Sequence, residues 1–268
     1  MKNGLKTTGP FTFVAQRLIL AFLALAPFSI FLRKRIPRDK DTWLKILVLS
    51  LIHVVNISST NIGLVGEESG TGAILTYTQP LFVFCLAVPF LKEKVNAKKI
   101  LGIVIGFLGV AFLYLGKDLS FATVYRSGFF LLFGAFVWAV MIVYYKKFLS
   151  HVDPILVNLV QFAIGAFILS ILSFALWEFT LEMTGDYLLI VLYLAIGASA
   201  IASTIWIFLI KDEEATVVSA SSFVVPMIAL IFGWIFLQET IEIGSTLGFI
   251  LILAGLYLVN KKELKTVS

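Results

Sequence analysis

Long apolar runs broken by short polar loops recur along the chain from residue 10 to residue 260. Nine can be drawn, over residues 10–32, 43–65, 69–91, 100–116, 127–145, 154–177, 187–210, 215–237 and 243–260. Each holds roughly the 17–25 residues that a tilted α-helix needs to cross a hydrocarbon core of about 30 Å. Connections as short as 211–214 leave neighbouring helices antiparallel. The pattern predicts an all-α, polytopic membrane protein with nine transmembrane helices and no room for a separate soluble domain.

Composition agrees with that reading. Sixty per cent of the residues are hydrophobic and only 14% are charged, against about 25% charged in soluble domains. The net charge of +5 resides in short loops, so its partner is the inner face of a lipid bilayer rather than nucleic acid. Cys85 lies inside a span, and the two histidines, His53 and His151, fall in different segments. No disulfide, metal site or cofactor is expected. Lys2 and Lys6 ahead of an apolar run imitate a secretory signal. However, Arg17 interrupts the run, Pro27 follows its only Ala-Leu-Ala, and Arg33-Lys34-Arg35 comes next. It is read as a retained transmembrane helix of a cell-membrane protein.

Lysine and arginine counts orient the bundle. Loops 33–41, 92–99, 146–153 and 211–214, with the C-terminal tail, carry fifteen, while the opposite face carries four. The excess of positive charge places the N-terminus outside and the C-terminus in the cytoplasm.

A repeat is also visible. Shifted by 146 residues, segment 68–109 falls on segment 214–255 without a gap. Glu68 meets Glu214, Pro80 meets Pro226, Phe90-Leu91 meets Phe236-Leu237, and Glu93 meets Glu239. Gly102 and Gly109 meet Gly248 and Gly255. So many matches at one offset mark an internal duplication. The two copies begin five spans apart, an odd number, so they cross the membrane in opposite directions. The loop after the first copy, 92–99, has four lysines and its partner, 238–245, has none. This is the signature of an inverted-topology repeat, a common transporter architecture.

Several polar residues lie inside spans. Arg17 is the eighth residue of its span, about 10 Å deep at the helical rise. It either faces a cavity or snorkels to the surface and pins a neighbour. His53, Asn56 and Thr60 share one helix face at mid-depth, which serves either cavity lining or interhelical hydrogen bonding. Asn158 with Gln161 forms a second stripe, Ser199, Ser203 and Trp206 a third, and Ser219, Ser222 and Pro226 a fourth. Such stripes also suit close helix packing. Trp138 and Trp206 carry rings suited to organic solutes, and Tyr77 and Gln79 precede the mid-span Pro80. Pro80 and Pro226 should free the carbonyls of Thr76 and Ser222, either to bind a solute or to be capped by hydroxyls. Glu93 and Glu239, at helix ends, are read as structural, capping the next helix or pairing with a lysine such as Lys98. The candidate substrate-binding set is therefore Arg17, His53, Asn56, Tyr77, Gln79, Trp138, Asn158, Gln161, Ser203, Trp206 and Ser222.

Pro10 and Arg17, Gly72-Ala73 through Gln79-Pro80 to Leu91-Lys92-Glu93, and the second-copy Pro226, Leu237-Gln238-Glu239 and Gly248 to Gly255 together resemble the EamA-like family of the drug/metabolite transporter superfamily. The family's Leu-Gly-Glu is altered at both helix ends, to Lys92 and to Gln238. The resemblance implies two five-helix repeats around a central cavity, with the last helix of each at the periphery. Residues 1–116 would form the first repeat and 127–260 the second. The counterpart of span 127–145 would precede Pro10, where nine residues cannot supply it, so a truncated ten-helix protein is expected.

The implied function is secondary transport, as an exporter of small metabolites or drugs, by alternating access. No phosphate-binding G-x-x-x-x-G-K-[ST] loop is present to use ATP. No aspartate or glutamate lies within the nine spans, so a proton relay would fall to His53 or to the missing helix. Uniport, exchange and sodium as a coupling ion are open. A lipid-modifying membrane enzyme, with Asp212-Glu213-Glu214 as its one acidic cluster, and a non-transporting fragment are the other readings. The charge asymmetry predicts that a reporter fused after Ser268 is active only on the cytoplasmic side. Activity on the other side of the membrane would reverse the topology.

Overall fold

A computed structural model describes residues 8–32, 36–66, 69–114, 124–178, 184–237 and 243–260. Among these residues the secondary structure is helical throughout. Helix α1 (Pro10–Leu25) continues into a 3₁₀ segment (Ala26–Leu32), and α2 covers Lys40–Gly66. One span is broken into α3 (Ser69–Thr76) and α4 (Gln79–Leu91), followed by α5 (Ala97–Tyr114). Next come α6 (Val124–Phe148) and α7 (Pro154–Ala175). A composite span then runs from α8 (Gly185–Leu192) through a π-helical stretch (Tyr193–Ala202) to α9 (Ser203–Asp212). The last elements are α10 (Ala215–Ser221), α11 (Val224–Leu237) and α12 (Ile243–Asn260).

Six stretches are long and apolar enough to cross a bilayer: Pro10–Ile30, Lys40–Val65, Gly72–Leu91, Ser127–Phe148, Pro154–Ala175 and Gly185–Asp212. Shorter apolar helices add to them over Ala215–Ile228 and Thr246–Asn260. Each predicted span has a helical counterpart among the described residues. Glu68, Gln238, Glu239, the Arg33-Lys34-Arg35 run, Lys117 and the lysines of the C-terminal tail lie outside the described residues.

Helix α2 shows why these sequences fold in lipid. Leu44, Leu47, Leu51 and Val55 recur at helical spacing and are exposed, while Ile46, Leu49, Asn56 and Ile57 are buried. The apolar stripe faces outward, which only a hydrocarbon solvent tolerates over so large a surface. Lipid does not drive helices together, so small residues must let backbones approach. A Cβ built on Gly134 would lie 2.6 Å from Thr60 Oγ1, and one on Gly63 would lie 2.9 Å from the Ser127 carbonyl. Glycine is required at the α2–α6 crossing.

Helices α5 and α12 form a second such pair, beside a small cluster built on Ile103, Val110, Phe223 and Ile252. A Cβ on Gly102 would meet the Gly255 carbonyl at 2.7 Å, and one on Gly109 would meet the Gly248 carbonyl at 2.8 Å.

Helix ends are secured locally. Asp39 Oδ2 accepts the Thr42 N–H at 2.7 Å and so caps α2. Hydrogen bonds from Thr42, first from its side chain and then from its backbone, hold the exposed Asp39 carboxyl below its ordinary pKa. Lys92 closes α4 in a left-handed conformation, φ 57°. Glycine adopts that geometry without steric cost, whereas a side chain costs about 1–2 kcal/mol there. The position explains why the family pattern holds Gly at this helix end. Lys92→Gly is expected to raise the thermal midpoint of the purified protein, by an amount corresponding to about 1 kcal/mol. An unchanged or lowered midpoint would argue against strain at this cap.

Candidate functional site

Within the bundle is a cavity of about 540 Å³, a size suited to a small organic molecule. Its wall is drawn from α1 (Arg17, Leu18), α2 (His53, Asn56, Ile57, Thr60, Asn61, Leu64) and the α3–α4 break (Gly72, Ala73, Thr76, Tyr77, Gln79). Helix α6 adds Gly134, Ala135 and Trp138, α7 adds Phe162, the π-helical stretch adds Ala198 and Ser199, and α9 adds Ser203. These positions run from mid-helix toward the end of the bundle that carries Gly66, Ser69 and the start of α6.

Two irregularities of backbone shape this wall. The α3–α4 span breaks at Tyr77–Thr78, where Pro80 occupies the first turn of α4 and cannot donate to the turn before it. Thr78 Oγ1 donates to the Leu75 carbonyl at 2.6 Å, beside the Thr78 N–H at 3.3 Å, and so closes the last turn of α3. The π-helical stretch Tyr193–Ala202 widens the opposite wall. It places Ser199 so that its Oγ accepts the Arg17 Nε–H at 2.7 Å. Such π segments recur at functional sites.

The site's polar chemistry is unbalanced. Both ring nitrogens of His53, Trp138 Nε1 and Gln79 Nε2 are buried without a protein hydrogen-bond partner. A buried polar group left unsatisfied costs about 1–3 kcal/mol. Arg17 adds a formal positive charge. The ion pairs of the described residues, Lys45–Asp41 and Lys99–Glu214, involve neither Arg17 nor the cavity. Leu18, Ile57, Leu64, Ala135 and Phe162 make the rest of the lining apolar. The Phe162 ring stands 6.3 Å from that of His53, centroid to centroid. The arrangement can hold an organic solute with a polar head and an apolar body.

Of the eleven residues singled out from sequence, Arg17, His53, Asn56, Tyr77, Gln79, Trp138 and Ser203 line the cavity, and the other four do not. Asn158 is buried between helices, its Nδ2 donating to Ser203 Oγ at 3.2 Å and Thr204 Oγ1 at 2.8 Å. It locks α7 to α9. Gln161 is buried on the same helix, and the neighbour that reaches the cavity is Phe162. Trp206 packs against the main core with its Nε1 unpartnered. Ser222 Oγ donates to the Ser219 carbonyl at 2.7 Å, and its own carbonyl accepts the Val225 N–H at 3.0 Å. The expected free carbonyl at Ser222 is therefore absent, because the chain forms a turn there. Even Asn56 divides its role, since its Nδ2 donates to the Gly134 carbonyl at 2.8 Å and ties α2 to α6.

Sequence reading passed over Asn61, Phe162 and Gly134, and named Thr76 for its carbonyl alone. Asn61 follows Thr60 directly and lies off the strict stripe, but its Nδ2 bonds the Ile57 carbonyl at 2.6 Å and leaves Oδ1 unpartnered. Ser199 was visible in a stripe, with no signal that Arg17 would choose it.

Glu93 has an unexpected partner. Its carboxylate accepts the Ala215 N–H at 2.6 Å, the Thr216 N–H at 3.2 Å and Thr216 Oγ1 at 2.5 Å. It caps the N-terminus of α10, far along the chain, and does not pair with Lys98. Lys99 bonds Glu214 beside it, and Lys146 Nζ donates to the carbonyls of Lys211 at 2.8 Å and Glu213 at 3.0 Å. These ties lie at the end of the bundle away from the cavity.

A lipid-facing helical bundle around one partly polar cavity defines a membrane transporter. The EamA-like transporter family model matches residues 1–115 and again 126–261, and the chain belongs to that family. It is 27% identical to "Uncharacterized transporter YoaV" of Bacillus subtilis (strain 168) over 264 residues, 96% of this chain and 89% of the relative. It is 30% identical to "Probable amino-acid metabolite efflux pump" of Salmonella typhimurium (strain LT2), over 72% of this chain and 68% of that protein. A protein solved by crystallography superposes with TM-score 0.80 over 96% of this chain and 89% of its own, at 18% identity, so the fold is shared. Family and relatives are transporters, so the chain is a multi-pass membrane transporter and not an enzyme.

In a Cys85→Ser background, cysteines at Asn61, Thr76 and Tyr77 are expected to react with a water-soluble thiol reagent. Those at Asn158 and Phe167, one locked between helices and one facing lipid, should stay unlabelled. Equal labelling of both sets would remove the cavity.

Proposed function

We propose that this chain is a secondary transporter that exports small organic metabolites by alternating access. The observation that carries the reading is the cavity, which holds polar groups without protein partners inside a bundle whose outside is apolar. In lipid such groups are retained where a solute or water meets them. The efflux pump among its relatives supports the outward direction. The excess of basic residues in alternate loops supports a cytoplasmic C-terminus.

The glycine contacts support two inverted repeats, residues 1–116 and 127–260. The 146-residue offset turns the pair Gly102–Gly255 into Gly248–Gly109, and both pairs meet between α5 and α12. Contacts that exchange in this way are expected of an interface on a two-fold axis. The breaks support it too, since Tyr77–Thr78 and Ser222–Phe223 fall within one residue of equivalence. Two such halves can rock about a central site. Access from one end while Glu93, Lys99 and Lys146 tie the other is what one of two alternating states requires. The part-buried hydrogen bonds of Glu93 contribute about 1.5–3 kcal/mol each and the exposed Lys99–Glu214 pair about 0–1 kcal/mol, enough together to bias a two-state equilibrium and few enough to be released.

Purified protein in proteoliposomes should show counterflow of at least one solute from a panel of small metabolites. Ala73→Trp, which fills the cavity, should abolish it while the protein still elutes as a folded particle. Flux equal to that of protein-free vesicles for every solute would reject the transport cycle.

A further inference from the structure

We infer that the solute is an organic monocarboxylate, an apolar body bearing one negative charge, whose carboxylate is held by Arg17. The inference rests on the transport reading of the same cavity and adds the chemical class of its substrate.

The first argument is charge. Arg17 stands on α1 where the cavity begins, among the buried Phe13, Val14, Leu18 and Ala21 of its own helix. A guanidinium carries five N–H donors in a planar fork. Among the described residues only Nε has a protein partner, the neutral Ser199 hydroxyl, which cannot balance a formal charge. No acidic residue lines the cavity among the described residues. A cation held inside a membrane bundle normally pairs with an anion. Here the remaining donors are available to a ligand, and the fork matches a carboxylate in two parallel bonds.

The second argument is the balance of donors and acceptors. Trp138 Nε1 can only donate, and Gln79 Nε2 and one ring nitrogen of a neutral His53 are donors as well. Against them stand Asn61 Oδ1 and the other ring nitrogen of His53 as unpartnered acceptors. The wall is donor-rich and needs a ligand that brings acceptors. One fixed positive charge matches one negative charge, whereas a dicarboxylate or a phosphate dianion would leave charge uncompensated in a low-dielectric site. An amino acid would bring an ammonium group that meets no carboxylate in the wall. Leu18, Ile57, Phe162 and the Trp138 ring then accept an apolar or aromatic body.

Four probes sharing a phenyl group separate these terms: phenylacetate, phenylalanine, phenethylamine and phenylsuccinate. Binding to the purified full-length chain in a neutral detergent is read by tryptophan fluorescence and by ligand-induced thermal shift. Phenylacetate should bind most tightly and phenethylamine should not bind. Arg17→Gln should weaken phenylacetate by about tenfold or more, the scale of removing one member of a desolvated charge pair. Arg17→Lys keeps the charge without the fork and should fall between. Ligand-free elution and thermal midpoints check that the variants fold. If Arg17→Gln does not, Arg17→Lys and the wild-type rank order decide.

Equal phenylacetate affinity in wild type and Arg17→Gln overturns the inference. So does tighter binding of phenethylamine or phenylalanine, or no binding of phenylacetate to wild type. Anionic lipid offers a competing anion, so the series is repeated with phosphatidylglycerol in the micelles. Displacement of phenylacetate only at high lipid supports a free solute, and occupancy by lipid that phenylacetate cannot reverse overturns it. Counterflow of a cationic or neutral solute unaffected by Arg17→Gln would leave the transporter standing without this substrate class. Phenylacetate binding without any counterflow would do the reverse.

Discussion

Hydrocarbon offers no hydrogen bonds, and that constraint organises this protein more than any single contact. It forces each backbone into helices, turns Leu44, Leu47, Leu51 and Val55 outward, and drives every polar side chain toward a protein partner or a wet interior. Most comply. Asn56 finds the Gly134 carbonyl, Asn158 finds two hydroxyls, and Thr12 finds Ser173 Oγ at 2.5 Å and the Glu178 carbonyl at 2.8 Å. Among the described residues the groups that do not comply include His53, Asn61, Gln79 and Trp138 on the cavity, and Ser58, Tyr145, Trp206 and Ser219 elsewhere in the bundle. His53, Trp138 and Gln79 would each be cheaper as an apolar residue of similar volume if stability alone decided. Under the proposed transport cycle that cost is met by a solute or by water in the cavity.

The same constraint explains how the bundle can tolerate motion. Helices in lipid gain little from burying apolar surface, so they are held by close packing at small residues and by a limited number of polar ties. The α5–α12 and α2–α6 crossings are of the first kind, with backbone in direct contact at Gly102, Gly109, Gly134 and Gly255. Glu93 on α10 and Lys146 on the 211–213 carbonyls are of the second kind, placed at one end only. Packing of the first sort resists sliding, whereas charged ties in reach of water can exchange with solvent at modest net cost. The glycine crossings join α2 and α5 of the first repeat to α6 and α12 of the second, while the exchangeable ties gather at one end of the bundle.

The helices were legible because their signal is collective. Nine apolar runs, a charge asymmetry and a 146-residue offset each average over many residues. The family was legible for the same reason, from prolines and glycines that backbone geometry requires. The cavity was legible only in part, because helical spacing reports which residues share a face and not which neighbour that face meets. His53, Asn56 and Thr60 did share a face on the cavity. Asn158 and Gln161 shared one too, but theirs packs into the bundle, while Phe162 beside them lines the site. Polarity biased the choice toward glutamine, although a solute with an apolar body needs the ring. The target of Glu93 was invisible, since capping an element more than a hundred residues away depends on how the repeats fold together.

Duplication and function have left opposite marks on the two copies. Where backbone geometry matters the copies agree, at Pro80 and Pro226, and at Gly102 and Gly109 with Gly248 and Gly255. Where the cavity is concerned they differ. Tyr77 and Gln79 line the site, while the residues at the same offset are Phe223, buried in the α5–α12 cluster, and Val225, 53% exposed on the outside. Strict two-fold chemistry would have given the cavity two equivalent polar edges. Under the proposed transport reading, an asymmetric ligand needs one polar edge and one apolar wall, which is the difference the two copies show at these positions. The scaffold has no reason to diverge, because each half must still break its helix at mid-membrane and pack its last helix through glycine. At these two positions the repeat gives the cavity a polar edge in one half only.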